Sequence, residues 1–396
     1  MVKNNSSAET KNIGLRGVTV ADTKICGIHG EEGVLIYRGF NINVLVRSST
    51  YEETSFLLLN GRLPDKQEFE QFKAALSRYR QVPDGIIQSL RIKPRTAHPM
   101  DVLQSCISML AGYDTKVRDE SRPANVEKAL RLISATPTLV AAWERIRNGQ
   151  EPVAPDNSLG HAANFLYMLT GNAPHPDTAK DLDICLILHA DHSFNASTFT
   201  ARSVASTRAH MYAAVTAAIG ALMGELHGGA NEQVMRMLEE IGAAEKVDDW
   251  VKARLAAGDK IMGMGHAVYR TNDPRALVLE QLSERLGYRT GETKWHRMSR
   301  RIEETTREEF YRMKGKEIYP NVDMYSASVY HQMGIATDLF TPVFAVSRMV
   351  GWCAHVIEEK FAEAQPKPAI YRPAADYTGH YCGNEGCDYL PLDDRS

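Results

Sequence analysis

After Phe40 the apolar residues of this chain recur three and four positions apart, and a helix is the regular structure that gathers such spacing onto one buried face. The clearest case opens at Asp65, which with Glu68 has the pattern of a capping box, and Phe69, Phe72, Leu76 and Tyr79 then share one face. Trp295, Met298, Ile302, Phe310 and Met313 outline a second stripe. Stripes of Met and aromatic residues are far more often core than site. Only the stretch from Gly17 to Phe40 reads differently. There VTVADTKICGIHG and GVLIYRGF are short β-branched runs parted by Gly-rich turns, the signature of a small hairpin. The expected fold is all-α, with at most a little β-structure near the N-terminus.

With 396 residues, 43% of them hydrophobic, the chain can bury a sizeable core in one large domain or two coupled ones. No repeat of solenoid period and no low-complexity linker appears, so two domains would interleave, crossing at turns such as HGGAN. The Pro and Gly punctuation from Leu159 to Thr178 marks a loop between helices. The Ala- and Gly-rich segment from Ala209 to Gly224 predicts a helix that packs backbone-close, either in the core or between two subunits. No run of 18 apolar residues occurs, and MVKNNSSAETKN carries no apolar stretch behind its lysines, so a soluble, cytoplasmic protein is expected. The net charge of -3 gives no basic field for nucleic acid. The six cysteines are too sparse for a disulfide scaffold, and the pair in CGNEGC, Cys382 and Cys387, lacks the second ligand pair of a zinc ribbon; free thiols in a mobile tail are expected.

Four segments place His, Arg and Asp where helix ends could converge on a pocket: HADHSFNAST, LHGGAN, GMGHAVYRTNDPR and PNVDMYSA. In the first, His189 and His192 are three apart, which admits a metal pair, a core histidine, or a His192 aimed at an anion. In the second, Gly228 and Gly229 break the chain after His227, and Asn231 could cap the next helix, leaving His227 either exposed at the break or buried at a helix end. In the third, Gly263 and Gly265 allow close approach of backbone to a ligand, His266 follows, and Asp273-Pro274 reads as an N-cap and first helical residue. Arg270 and Arg275 suit an anion, since guanidinium groups match carboxylate and phosphate geometry. In the fourth, Asp323 taken alone is most simply an N-cap.

In this order, and with GVLIYRGF, HPMDVL (His98 to Leu103) and YRPAADYTG (Tyr371 to Gly379) added, the segments resemble the citrate synthase family, including the 2-methylcitrate synthases, over nearly the whole chain. The resemblance implies a large helical domain from 1–229 and 335–396, and a small domain from 230–334 that binds CoA and closes over the site. It implies that Asp323 is the base next to a thioester carbonyl, that His227 hydrogen-bonds the thioester oxygen, and that His266 polarises the ketone of oxaloacetate. His192, Arg275, Arg348 and Arg372 would hold oxaloacetate, with Arg372 reaching the site of a partner subunit. Met262, Gly263, Met264, Gly265, Arg270, Lys314, Lys316 and Asn321 would hold CoA. The family uses no metal and no redox cofactor, and forms dimers or multiples of dimers.

Ser193, Ala327 and Ala374 depart from the DHE, YSG and RPR forms of plain citrate synthases. The YSA form and a small residue after RP look like 2-methylcitrate synthases, whereas HADH and GHAVYR look like the citrate enzymes. One methylene separates acetyl-CoA from propionyl-CoA, about 1–3 kcal/mol in an apolar pocket. Acetyl-CoA is the expected thioester, with propionyl-CoA the alternative. A metal-dependent hydrolase using His189 and His192, and a helical scaffold without turnover, are the readings from other classes.

Overall fold

The computed structural model describes residues 13–15, 17–380, 387 and 389–395. The expected hairpin gains a third strand, giving an antiparallel sheet β1 (Cys26–His29), β2 (Val34–Tyr37) and β3 (Phe40–Asn41), with Cys26 opposite Tyr37. Helices fill the rest. They are α1 (Ile42–Ser48), α2 (Tyr51–Asn60), α3 (Lys66–Arg78), α4 (Asp84–Arg91), α5 (Pro99–Leu110), α6 (Arg122–Arg147), α7 (His161–Thr170) and α8 (Pro176–His189). Then come α9 (Ala196–Ser206), α10 (Met211–Leu222), α11 (Ala230–Ile241), α12 (Val247–Ala256), α13 (Pro274–Thr290), α14 (Lys294–Lys314), α15 (Val322–Gln332) and α16 (Phe340–Phe361).

Local chemistry sets several of these boundaries. The capping box at Asp65 forms in full, with the Asp65 carboxylate accepting from Glu68 N at 2.8 Å and Glu68 from Asp65 N at 3.0 Å. Of the second stripe, Trp295, Met298 and Ile302 are buried on α14, while Met313 is 46% exposed where that helix leaves the core. The stretch expected to be a loop from Leu159 to Thr178 is mostly α7. Gly160 starts that helix and a left-handed Gly171 ends it, so the punctuation bounds a helix rather than filling a loop.

Every residue of α16 from Phe340 to Glu359 is buried. This helix is apolar and long enough to cross a membrane, yet its apolar window lies wholly inside the protein, against α2, α6, α8, α9 and α10. Helices α11 to α15 pack chiefly on one another, α13 and α11 on α15 and α12 on α14. They touch the remainder where α11 meets α16 and where α13 meets α1 and α8. The Ala-rich α10 packs on α9 and α5, so its larger side chains serve the core, while Ala213, Thr216, Ala217, Gly220 and Ala221 form a half-exposed stripe of small residues.

One glycine fixes how closely α16 approaches the chain beyond α8. A Cβ on Gly351 would stand 2.3 Å from the Ala190 carbonyl oxygen and 2.6 Å from Asp191 Oδ1. Gly351→Ala therefore forces backbone apart and is expected to cost about 1–3 kcal/mol, read as a lower denaturation midpoint. An unchanged midpoint would show that the 190–193 turn yields without cost.

Candidate active site

The hairpin reaches under the HADHSF turn. Tyr37, fully buried, donates its hydroxyl to the Asp191 carbonyl at 2.8 Å and accepts from Asp191 N at 3.1 Å. Burial works against an ionised Asp191, yet His355, Arg348 and the Ser193 N–H hold its carboxyl below the ordinary carboxylate value. With that turn fixed, the two histidines part ways. His189 lies against the Phe344 ring at 4.8 Å and its Nδ1 pairs with the Cys185 carbonyl at 2.8 Å, which makes it a core residue. His192 lies T-shaped on His266 at 5.3 Å, and its buried Nε2 has no protein partner. Burial first, and then Arg275, His266 and Arg348, push its pKa well down, so it is neutral. A second cation set among these arginines would be repelled, and among the described residues no cluster of His, Cys, Asp and Glu could hold a metal ion.

His266 sits on a loop tied down at both sides. The hairpin turn presses on its far end, where Arg270 N donates to the Gly30 carbonyl at 3.0 Å. A Cβ on Gly30 would come within 2.4 Å of the Val268 carbonyl oxygen, so only glycine fits there. On the near side the loop pairs with the strand-like 319–321 segment. Gly265 N donates to the Tyr319 carbonyl at 2.8 Å, Asn321 N to the Gly263 carbonyl at 2.9 Å, and Asn321 Nδ2 to the Gly265 carbonyl at 2.9 Å. The Val268 and Tyr269 N–H groups both donate to His266 Nδ1, at 3.0 and 3.1 Å. That leaves the ring proton on Nε2. Burial, helped by Arg275, holds this imidazole down to about 4, so at neutral pH it is an uncharged donor.

Asn321 also determines where Asp323 points. Its Oδ1 accepts from Asp323 N at 3.0 Å, so Asn321 is the N-cap of α15 and Asp323 lies in the first turn, one correction to the N-cap reading of Asp323. A similar shift applies to Asn231, which lies inside α11 behind an N-cap at Gly229. Freed from capping, the Asp323 carboxyl is pushed up to about 7, burial outweighing the pull of Arg275 and Arg348. A carboxyl with that value is half ionised near neutrality and far more basic than an exposed aspartate.

His227 stands at the break after α10. Gly228 N donates to the Leu222 carbonyl at 2.8 Å, turning the chain back, and a Cβ on Gly228 would fall 2.5 Å from that oxygen. His227 Nε2 accepts from Ser197 N at 3.2 Å and pairs with Ser197 Oγ at 2.8 Å. Trp352 Nε1 donates to that same Oγ at 3.1 Å. Since Nε2 accepts, the proton lies on Nδ1. Burial and Arg348 hold this ring down to about 4, a second neutral donor.

Two buried arginines give the site its field. Arg275 is N-terminal on α13, as Asp273-Pro274 foretold, and pairs bidentately with Asp273 at 3.0 and 2.7 Å. Arg348 donates Nε to the His189 carbonyl at 2.8 Å and forms no ion pair among the described residues. Both act on His192 and Asp323, Arg275 on His266 as well, and Arg348 on His227. The structure thus draws His192, His227, His266, Arg275, Asp323 and Arg348 into one electrostatic cluster. Arg270 is exposed beside the His266 loop, and Met262, Gly263, Met264 and Gly265 form that loop's start. Lys314 and Lys316 are exposed on either side of Gly315, near Ile318, which lies under Gly265. Arg372 is exposed beyond α16 and joins none of these groups. Trp352 and His355 are supporting residues that none of the sequence motifs contains, while Tyr37, Ser197 and Tyr269 lie within those motifs but are not singled out by them.

A helical fold carrying a basic carboxylate, two neutral imidazole donors and buried guanidinium groups is equipped for proton transfer beside a bound anion. The family model described as "Citrate synthase, C-terminal domain" matches residues 14–374. Citrate synthase from Haloferax volcanii is 44% identical over 394 residues, covering 98% of this chain and 100% of that protein. A 2-methylcitrate synthase from Shewanella oneidensis is 37% identical over 369 residues, covering 92% and 94%. The solved ternary complex of carboxymethyl coenzyme A and oxaloacetate with citrate synthase from Thermoplasma acidophilum superposes with a TM-score of 0.89 at 29% identity, covering 98% and 100%. The chain belongs to the citrate synthase family. Within that family Cys387 is of interest, because it is disulfide-bonded rather than a free thiol; Cys382 lies outside the described residues.

Proposed function

We propose that this chain is a citrate synthase that condenses acetyl-CoA with oxaloacetate and water to citrate and CoA. The observation that carries the reading is the Asn321 clamp, which binds the His266 loop and the first turn of α15 into one unit and leaves Asp323 desolvated within the field of Arg275 and Arg348. Asp323 removes a proton from the acyl carbon. His227 Nδ1–H stabilises the enol oxygen, and His266 Nε2–H polarises the oxaloacetate ketone, so the new carbon–carbon bond forms between an enol and an activated carbonyl. Water then hydrolyses the citryl-CoA-type thioester. Arg275, Arg348 and His192 take the two oxaloacetate carboxylates, and no metal is called for. Met262 to Gly265, Arg270, Lys314 and Lys316 border the CoA. Asn321 shapes the CoA loop through Nδ2 and Oδ1 and has a second Nδ2 N–H to offer the ligand.

Helices α11 to α15, the core of the 230–334 segment, form the small domain, which closes over oxaloacetate; their preference for one another over the rest of the fold supports this. A dimer is built along the small-residue stripe of α10, and Arg372 of the partner subunit completes the oxaloacetate site. Burial of the one long apolar helix among the described residues fits a soluble, cytoplasmic enzyme. The test is thiol release from acetyl-CoA and from propionyl-CoA, each with and without oxaloacetate. Release that depends on oxaloacetate supports condensation, and a kcat/KM ratio favouring propionyl-CoA would turn the assignment to 2-methylcitrate synthase. No release with either thioester would leave a helical scaffold.

The partner's arginine has its own test. Arg372→Leu and Asp323→Ala are each expected to be nearly inactive alone. Refolded together, half of the dimers are mixed, and each mixed dimer keeps one intact site, so about a quarter of wild-type activity returns. If Arg372 serves its own subunit instead, mixing restores nothing.

A further inference from the structure

Behind the site runs a chain of buried charged groups that the condensation steps do not use. Asp191, Arg202 and His355 are wholly buried, and Glu358 and Glu359 are 1% and 6% exposed. Arg202 Nη1 donates to Glu358 Oε2 at 2.7 Å and pairs with His355 Nδ1 at 3.1 Å, while its Nη2 lies 2.7 Å from Glu359 Oε2. A guanidinium has only donors, so His355 Nδ1 must accept. The ring proton is therefore on Nε2, which donates to Asp191 Oδ2 at 3.3 Å. Asp191 Oδ2 also accepts from Ser193 N at 3.1 Å, bracketing His192 in the turn. At the other end the Tyr371 hydroxyl donates to Glu359 Oε2 at 2.9 Å, and Tyr371 N to Ser206 Oγ at 3.3 Å. Phe194 covers Arg202, whose guanidinium lies 4.4 Å from the ring centroid, and Phe199 lies edge-on to Tyr371 at 5.4 Å. At the rim Lys24 N donates to Glu358 Oε1 at 2.8 Å, and Arg38 feels the charge of Glu358.

Burying so many charges is costly unless each is paired and the arrangement serves a purpose. The two ends of the chain supply one. Asp191 precedes His192, and Tyr371 precedes Arg372, the two side chains that the proposed function places on oxaloacetate from either end of this chain. We propose that His355 and Tyr371 are positioning residues of one buried relay through Arg202, His355 setting His192 by way of Asp191 and Tyr371 setting Arg372. In a dimer the relay joins a subunit's own oxaloacetate contact to the arm it lends its partner. This inference rests on the citrate synthase reading and deepens it.

The experiment compares KM for oxaloacetate, KM for acetyl-CoA and kcat in the full-length enzyme. Wild-type turnover is measured first, because its absence overturns the parent reading rather than the relay alone. His355→Leu leaves Asp191 and Arg202 each short of a partner and is expected to raise KM for oxaloacetate about tenfold, with KM for acetyl-CoA nearly unchanged. His355→Gln, whose amide can accept from Arg202 and donate to Asp191, restores most of that loss. Tyr371→Phe removes one hydroxyl near the surface and leaves the fold intact, so it tests the relay even if His355→Leu does not fold. It is expected to raise KM for oxaloacetate severalfold in the wild-type background and, with oxaloacetate binding read by calorimetry because that variant hardly turns over, to have no effect when Arg372 is already leucine, since it acts through that arginine. Equal rises in both KM values, a glutamine variant no better than leucine, or a Tyr371→Phe effect that persists without Arg372 would each overturn the relay.

Discussion

Asparagine at position 323 lowers kcat for oxaloacetate-dependent thiol release by about 10²–10⁴-fold and, above pH 7, raises the melting temperature. The two effects share a cause. Burial pushes the Asp323 carboxyl up to about 7, whereas in the unfolded chain it titrates near its ordinary value, about 3.9. Between those values the folded protein holds a proton that the unfolded chain has released. A raised carboxyl pKa therefore makes stability fall as pH rises from about 4 to about 7, and the full penalty is present above 7. Asparagine has the same shape and no charge, so it removes the penalty. The melting temperatures of the two proteins should agree near pH 4 and separate across that interval, with the variant the more stable. Equal melting temperatures at pH 8 would mean that desolvation is not what tunes this carboxyl. The same ionisation appears in kinetics as an acid limb of kcat/KM, rising with pH through about 7 and involving one proton. The imidazoles of His227 and His266, held near 4, titrate too low to produce that limb.

What the sequence discloses about this fold is what depends on neighbours along the chain. The capping box at Asp65, the Asp273-Pro274 start of α13 and the helical stripes rest on spacings of a few residues, and all are seen in the structure, the second stripe only as far as Ile302. Helix starts were legible less exactly. Asp323 reads as an N-cap, yet Asn321 Oδ1 accepts from Asp323 N, so the cap lies two residues earlier. Gly160 and Gly171 likewise fit a loop or the two ends of a short helix, and the burial of Phe165 and Leu166 selects the helix. The site was legible for a different reason: its motifs resemble a known family in order. Its supports were not legible at all. Tyr37 meets Asp191 across 154 positions and Trp352 meets Ser197 across 155, distances at which periodicity carries no information.

The two imidazoles should fail differently when removed, although each is expected to lower kcat by about 10²–10³-fold, the usual loss on deleting a donor to a developing oxyanion. His227 is fixed by Ser197 N–H and Oγ, which leaves Nδ1–H as the donor proposed for the acyl side of the reaction. His266 is fixed by the Val268 and Tyr269 N–H groups, which leaves Nε2–H as the donor proposed for the ketone. Exchange of the acyl protons of acetyl-CoA in heavy water separates the roles, because it needs the enol but not the new carbon–carbon bond. His227→Ala should lose that exchange together with condensation, as Asp323→Asn does. His266→Ala should keep the exchange, provided a ketone-free dicarboxylate fills the oxaloacetate subsite, and lose only condensation. If His266→Ala abolished exchange and His227→Ala spared it, the two donors would have to trade places, and the orientation of the substrates between α9 and α13 would be reversed.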